Sequence, residues 1–91
     1  MEKINFHQLE RIVRGFSNHR RIQILDLFYR SPELSVLDVS KALKINMKTA
    51  SEHIRRLAVA GLVMKRSDGN SVRHKLTPRG KSILMFLRTL E

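Results

Sequence analysis

The residues with most to offer chemically are cations. Lys44, Lys48, Arg55, Arg56, Lys65, Arg66, Arg73 and Lys75 fall within one stretch that is poor in acids. Such residues bind phosphate, arginine through a planar fork of donors and lysine as a point charge. Other chemistries lack their parts. The chain has no cysteine, which removes disulfides, thiolate metal sites, iron–sulfur clusters and thiol nucleophiles. His7, His19, His53 and His74 stand in four separate segments, without the i, i+4 or paired spacing of a zinc site. Ser35 has no histidine and aspartate arranged to activate it, and it reads as a helix cap. Neither a glycine-rich phosphate loop nor a carboxylate pair is present. These patterns point to binding rather than catalysis, with no cofactor and no metal expected.

Charge distribution names the class of ligand. Of the 91 residues, 18 are Lys or Arg and 8 are Asp or Glu, a formal net charge of +10. Residues 1–43 have a net charge of +2, residues 44–81 of +8, and residues 82–91 of zero. A merely solubilising charge would be spread more evenly. A concentrated basic stretch is the electrostatic footprint of a nucleic-acid binder. At 42% hydrophobic, the chain has the composition of a single folded domain, 1–91, with one small core. No apolar run nears the ~20 residues of a membrane span, and no apolar signal core opens the chain. A cytoplasmic protein is expected.

The elements that must position these cations follow from periodicity. Apolar residues at helical spacing predict a helix over 4–15, interrupted at Gly15. Ser17 or Asn18 caps a second, carrying Ile22, Leu25, Phe28 and Tyr29, which ends at Ser31-Pro32. Leu34 suits a strand of one or two residues. Ser35 and Asp38 begin a third helix whose buried face is Val36, Val39, Ala42 and Leu43. After the turn Lys44-Ile45-Asn46, Asn46 caps a fourth over 47–60, with Ala50, Ile54, Leu57 and Ala58 inward and Gly61 as its left-handed stop. The period then drops to two. Residues 62–66 and 72–76 read as the arms of a basic hairpin around Ser67–Ser71. Thr77 and Pro78 open a last helix over 78–90. The fold class is mainly α with a small β-hairpin: a winged helix-turn-helix, with the helix-turn-helix at 36–60 and the wing at 62–76.

The stretch from Asp38 to Val63 resembles, without a gap, the helix-turn-helix of ArsR-like winged-helix repressors. Ser51-Glu-His-Ile54 is similar to that family's Ser-x-His-Leu, and Ala60-Gly-Leu-Val63 to its Ala-Gly-Leu-Val. Asn18–Leu25 resembles the family's first conserved helix, and Leu76-Thr-Pro-Arg-Gly80 an ending shared with MarR-like proteins. The resemblance implies that Lys48, Thr49, Ser51, Glu52 and His53 lie nearest a DNA major groove. It also marks departures. Metal-sensing members carry Glu-Leu-Cys-Val-Cys-Asp-Leu where this chain has Glu33-Leu-Ser-Val-Leu-Asp-Val39, so both thiolates are replaced. Residues 78–91 contain no histidine for the family's second metal site. Asn70 stands where the family often has a wing-tip arginine.

A helical wheel puts Lys48, Thr49, Glu52 and Arg55 on the solvent face, with Ser51 and His53 at its margin. Lys48, Thr49 and Glu52 suit base edges, since lysine reads guanine, glutamate accepts from cytosine and threonine touches a thymine methyl. Arg55, Arg56 and Lys44 are better placed for phosphates, Asn46 at the helix start is also counted among the DNA-binding residues, and the wing offers Lys65, Arg66, Arg73 and Lys75. The terminal helices are too apolar for one small core. Leu9, Ile12, Val13, Phe16, Ile83, Leu84, Phe86, Leu87 and Leu90 are the candidate dimer interface. The expectation is a homodimeric regulator of double-stranded DNA, a repressor on an inverted repeat. The competing reading is a winged-helix module that docks on proteins without reading bases.

Overall fold

The computed structural model describes residues 3–91. Five helices and one hairpin follow in the order α1 (Phe6–Phe16), α2 (His19–Arg30), α3 (Val36–Leu43), α4 (Met47–Val59), β1 (Val63–Asp68), β2 (Ser71–Leu76) and α5 (Pro78–Arg88). This is the winged helix-turn-helix arrangement that the periodicity predicts. Each helix begins at a side-chain cap: Asn5, Asn18, Ser35, Asn46 and Thr77 accept from backbone N–H groups of the first turn. At Ser35 the cap is reciprocal, because the Asp38 carboxylate accepts in return from the Ser35 N–H at 2.9 Å.

The core gathers Ile24, Leu25 and Phe28 of α2, Val39 of α3, Ala50, Ile54 and Leu57 of α4, and Leu62, Val63 and Leu76 at the hairpin's base. Some assignments differ from the sequence expectation. Tyr29 lies on the surface, where the Arg88 guanidinium sits 5.6 Å over its ring, and Ile24 takes the inward position. Ala42 is exposed, because eight-residue α3 packs on one side only, through Val39. Phe16 and Leu84 are buried within this core at 8% and 3% exposure, so neither is on a free interface face. Ile12, Ile83 and Leu87 are half-buried against it.

Packing between α1 and α4 depends on Gly15, which lies so close to Ala60 that a Cβ there would collide with the Ala60 side chain. In the hairpin, Val63 pairs with Leu76, Lys65 with His74 and Arg66 with Arg73, and the turn is Gly69-Asn70. The strands are thus longer, and the turn shorter, than the sequence suggested. Leu34 adds a single bridge to His74. Among the described residues no helix is long and apolar enough to cross a membrane.

Candidate nucleic-acid interface

The site is built on α4 and on the turn before it. Ala50, Ile54 and Leu57 are buried to 1% exposure or less and fix the helix against the core. Lys48, Thr49, Ser51, Glu52, Arg55 and Arg56 are exposed, so the face assigned by the helical wheel exists. Asn46 is committed to the cap, its Oδ1 accepting from the Thr49 N–H at 2.8 Å. Lys44 adopts a left-handed φ of 56° at the end of α3 and leaves its side chain exposed. His53 turns inward: it is half-buried, and its Nδ1 has no hydrogen-bond partner among the described residues. Burial, then the Arg21 charge, holds its pKa below the ordinary imidazole value.

Glu52 is the centre of the charged face. Its carboxylate accepts from Arg55 Nη2 at 2.7 Å, Arg55 Nε at 3.0 Å and Arg56 Nε at 3.2 Å. These bonds, Arg55 first, pull its pKa down to about 2, so it stays charged at any pH where DNA is intact. The assignment of Glu52 to bases and of Arg55 and Arg56 to phosphates therefore joins three side chains that hold one another.

The wing is likewise tied rather than free. Arg66 pairs with the Glu33 carboxylate, its Nη2 donating at 3.0 Å. Arg73 donates to the Glu33 carbonyl at 3.2 Å and lies 3.8 Å from Asp68. Alternation along the strands sets Lys65 on the His74 face and Arg66, Arg73 and Lys75 on the other. The four wing cations do not form one plane; Lys65 and Lys75 are the exposed pair without a carboxylate partner among the described residues.

His74 belongs to the core. It is 2% exposed, stacks on Phe28 at 6.1 Å between ring centroids, and donates from Nδ1 to the Leu34 carbonyl at 3.0 Å. Its inward position was readable from the two-residue step to Leu76. The Glu33 tether was not, since it joins residues far apart in sequence.

Residues 18–65 match the family described as bacterial regulatory protein, arsR family. The chain belongs to the ArsR family. An HTH-type transcriptional regulator of Mycobacterium tuberculosis is 37% identical over 62 residues, which are 68% of this chain and 27% of that protein. The chain thus spans about a quarter of that curated relative's length. HlyU from Vibrio cholerae is 31% identical, with a TM-score of 0.81 over 99% of this chain and 97% of that one. The homodimeric winged helix-turn-helix DNA-binding domain of a possible ArsR-family transcriptional regulator from Mycobacterium bovis is 27% identical, with a TM-score of 0.80 over 99% and 88%. As an ArsR-family member the chain has the winged helix-turn-helix fold that these relatives share.

Proposed function

We propose that the chain is a cytoplasmic, homodimeric repressor that binds double-stranded DNA on an inverted repeat. The observation that carries this is α4: a helix braced by three buried residues with an unbroken polar and cationic face from Lys48 to Arg56. Such a helix, about 10–12 Å across, fills a major groove. Lys48, Thr49 and Glu52 read base edges, with Ser51 beside them. Arg55, Arg56 and Lys44 neutralise phosphates, and Lys65 and Lys75 follow the backbone from the wing. Two copies joined through α1 and α5 would set their α4 helices ~34 Å apart, one turn of duplex. Occupancy then excludes polymerase.

Fluorescence anisotropy with random duplex, across a salt series, tests the reading. Affinity should fall steeply with salt, as phosphate neutralisation requires. Arg55→Ala should weaken every duplex alike and shallow that slope, whereas Lys48→Ala should relax preference for a selected site. Failure to bind duplex at low salt would favour a protein-docking module instead.

A further inference from the structure

A cavity of about 590 Å³ opens between α1, the C-terminal half of α4 and the start of α5. Five arginines line it: Arg11 and Arg14 from α1, Arg55 and Arg56 from α4, and Arg79 from α5. Among the described residues no carboxylate lines it. The nearby acids are already engaged. Glu10 pairs with Arg14 at 2.9 Å, and Glu52 holds Arg55 and Arg56. Against five guanidinium charges these two carboxylates leave a surplus of three. Arg11 and Arg79 make no ion pair among the described residues, and Arg79 is fixed by donating to the Ala60 carbonyl at 3.1 Å. Ile12, Val59 and Ala60 supply apolar lining between the charges.

Like charges gathered in one recess repel, and a multivalent anion relieves that repulsion while satisfying several donor forks at once. The cationic field continues behind Arg56. Arg21 donates to the Arg14 carbonyl at 3.4 Å, and burial, then Arg56, lowers its pKa. A duplex backbone does not explain the recess. DNA presents a convex surface, and Arg11, Arg14 and Arg79 lie outside the recognition helix and the wing. The volume falls within the ~300–1,000 Å³ range of small-molecule sites.

We propose that this recess binds a compact organic polyphosphate, its phosphates on the arginines and a body of nucleotide size against Ile12, Val59 and Ala60. Binding engages Arg55 and Arg56 and so competes with DNA; that last step rests on the reading of α4 as the DNA-contacting helix.

Titration calorimetry of the protein alone with inorganic pyrophosphate tests the site, with sulfate at matched ionic strength as the control. Saturable binding of one pyrophosphate per chain is expected, weakened at least about tenfold by Arg11→Gln with Arg14→Gln. In anisotropy, pyrophosphate should weaken duplex binding beyond the sulfate control. The double variant should keep wild-type duplex affinity and lose that sensitivity, with circular dichroism showing it folded. Absence of saturable binding, or equal binding by the variant, overturns the site. So does a parallel loss of duplex affinity in the variant, which would assign these arginines to the DNA footprint. Duplex binding indifferent to saturating pyrophosphate overturns the competition. A protein that binds no duplex at all would sink the DNA reading instead, and calorimetry would still decide the site.

Discussion

At the scale of single residues, the charged face of α4 is governed by Glu52. Its spacing to Arg55 and Arg56, three and four positions on, made their pairing readable from sequence. How the pairing constrains function is not readable from sequence, where Glu52 suits base edges and Arg55 and Arg56 suit phosphates as separate tasks. In the folded chain Glu52 offsets the two arginines. Glu52→Gln removes one negative charge and frees both guanidinium groups. Affinity for random duplex should rise several-fold, preference for a selected site should relax because Glu52 no longer reads a base, and the salt slope should steepen by about one ion, at ~0.9 per phosphate neutralised. Anisotropy across a salt series, with random and selected duplex, measures all three. Weaker binding to every duplex would mean instead that the carboxylate holds the arginines in their phosphate-binding pose. Replacing Arg66 tests the wing differently, since it is paired to Glu33 rather than free. Arg66→Ala should cost less duplex affinity than Lys75→Ala, in the same assay.

Between elements, the joints carry more information than the helices. Period and caps made the helices legible: Asn18, Ser35, Asn46 and Thr77 all cap where expected, because capping is local chemistry. Long-range joints left weaker marks. Lys44 closes α3 with φ 56°, a left-handed conformation that costs a residue with a Cβ about 1–2 kcal/mol. Lys44→Gly should therefore raise stability by roughly 0.5–1 kcal/mol in urea unfolding while weakening duplex binding through the lost charge. Loss of stability would show that the Lys44 side chain braces the turn. His74 makes a second joint, tying β2 to Leu34 and stacking on Phe28 of α2. Burial pushes its pKa below the ordinary 6.5, opposed by the bond to Leu34 and assisted by the charge of Lys65. A histidine depressed in the folded state stabilises it above the unfolded pKa, and that contribution is lost as pH falls through the folded value. Stability should decline as pH drops below about 6.5. His53 is shifted in the same direction and adds to the decline. His74→Phe keeps a ring on Phe28 and the backbone bridge, so the acid-induced loss should shrink in thermal melts at pH 7.5 and 5. An unchanged acid slope would assign the effect elsewhere.

On the scale of the whole molecule, shape and surface argue for a partner. The radius of gyration is 13.4 Å, above the ~12 Å of a compact chain this long, since the wing stands off the core. Apolar side chains remain uncovered on both terminal helices and just past the last one: Phe6, Leu9 and Val13 on α1, Met85 and Phe86 on α5, and Leu90 beyond its end. Surplus hydrophobicity at both ends was legible from sequence, but its division between core and surface was not. Phe16 and Leu84 read as part of the same stripes and are in fact core, because α1 and α5 each turn one side toward the interior. That division makes a discriminating pair of variants. Phe86 is 57% exposed, so Phe86→Glu should leave the fold intact and shift the protein to monomer in light scattering. Leu84→Glu places an unpaired charge in the core and should unfold the chain, with loss of helical circular dichroism. With two half-sites engaged at once, a dimer gains avidity that a monomer lacks, so Phe86→Glu should also lower affinity for a two-site duplex by about a hundredfold. Single half-site duplexes should bind both proteins alike. A dimer that survives Phe86→Glu would move the interface to α1, and Leu9→Glu would then be the variant that separates the copies.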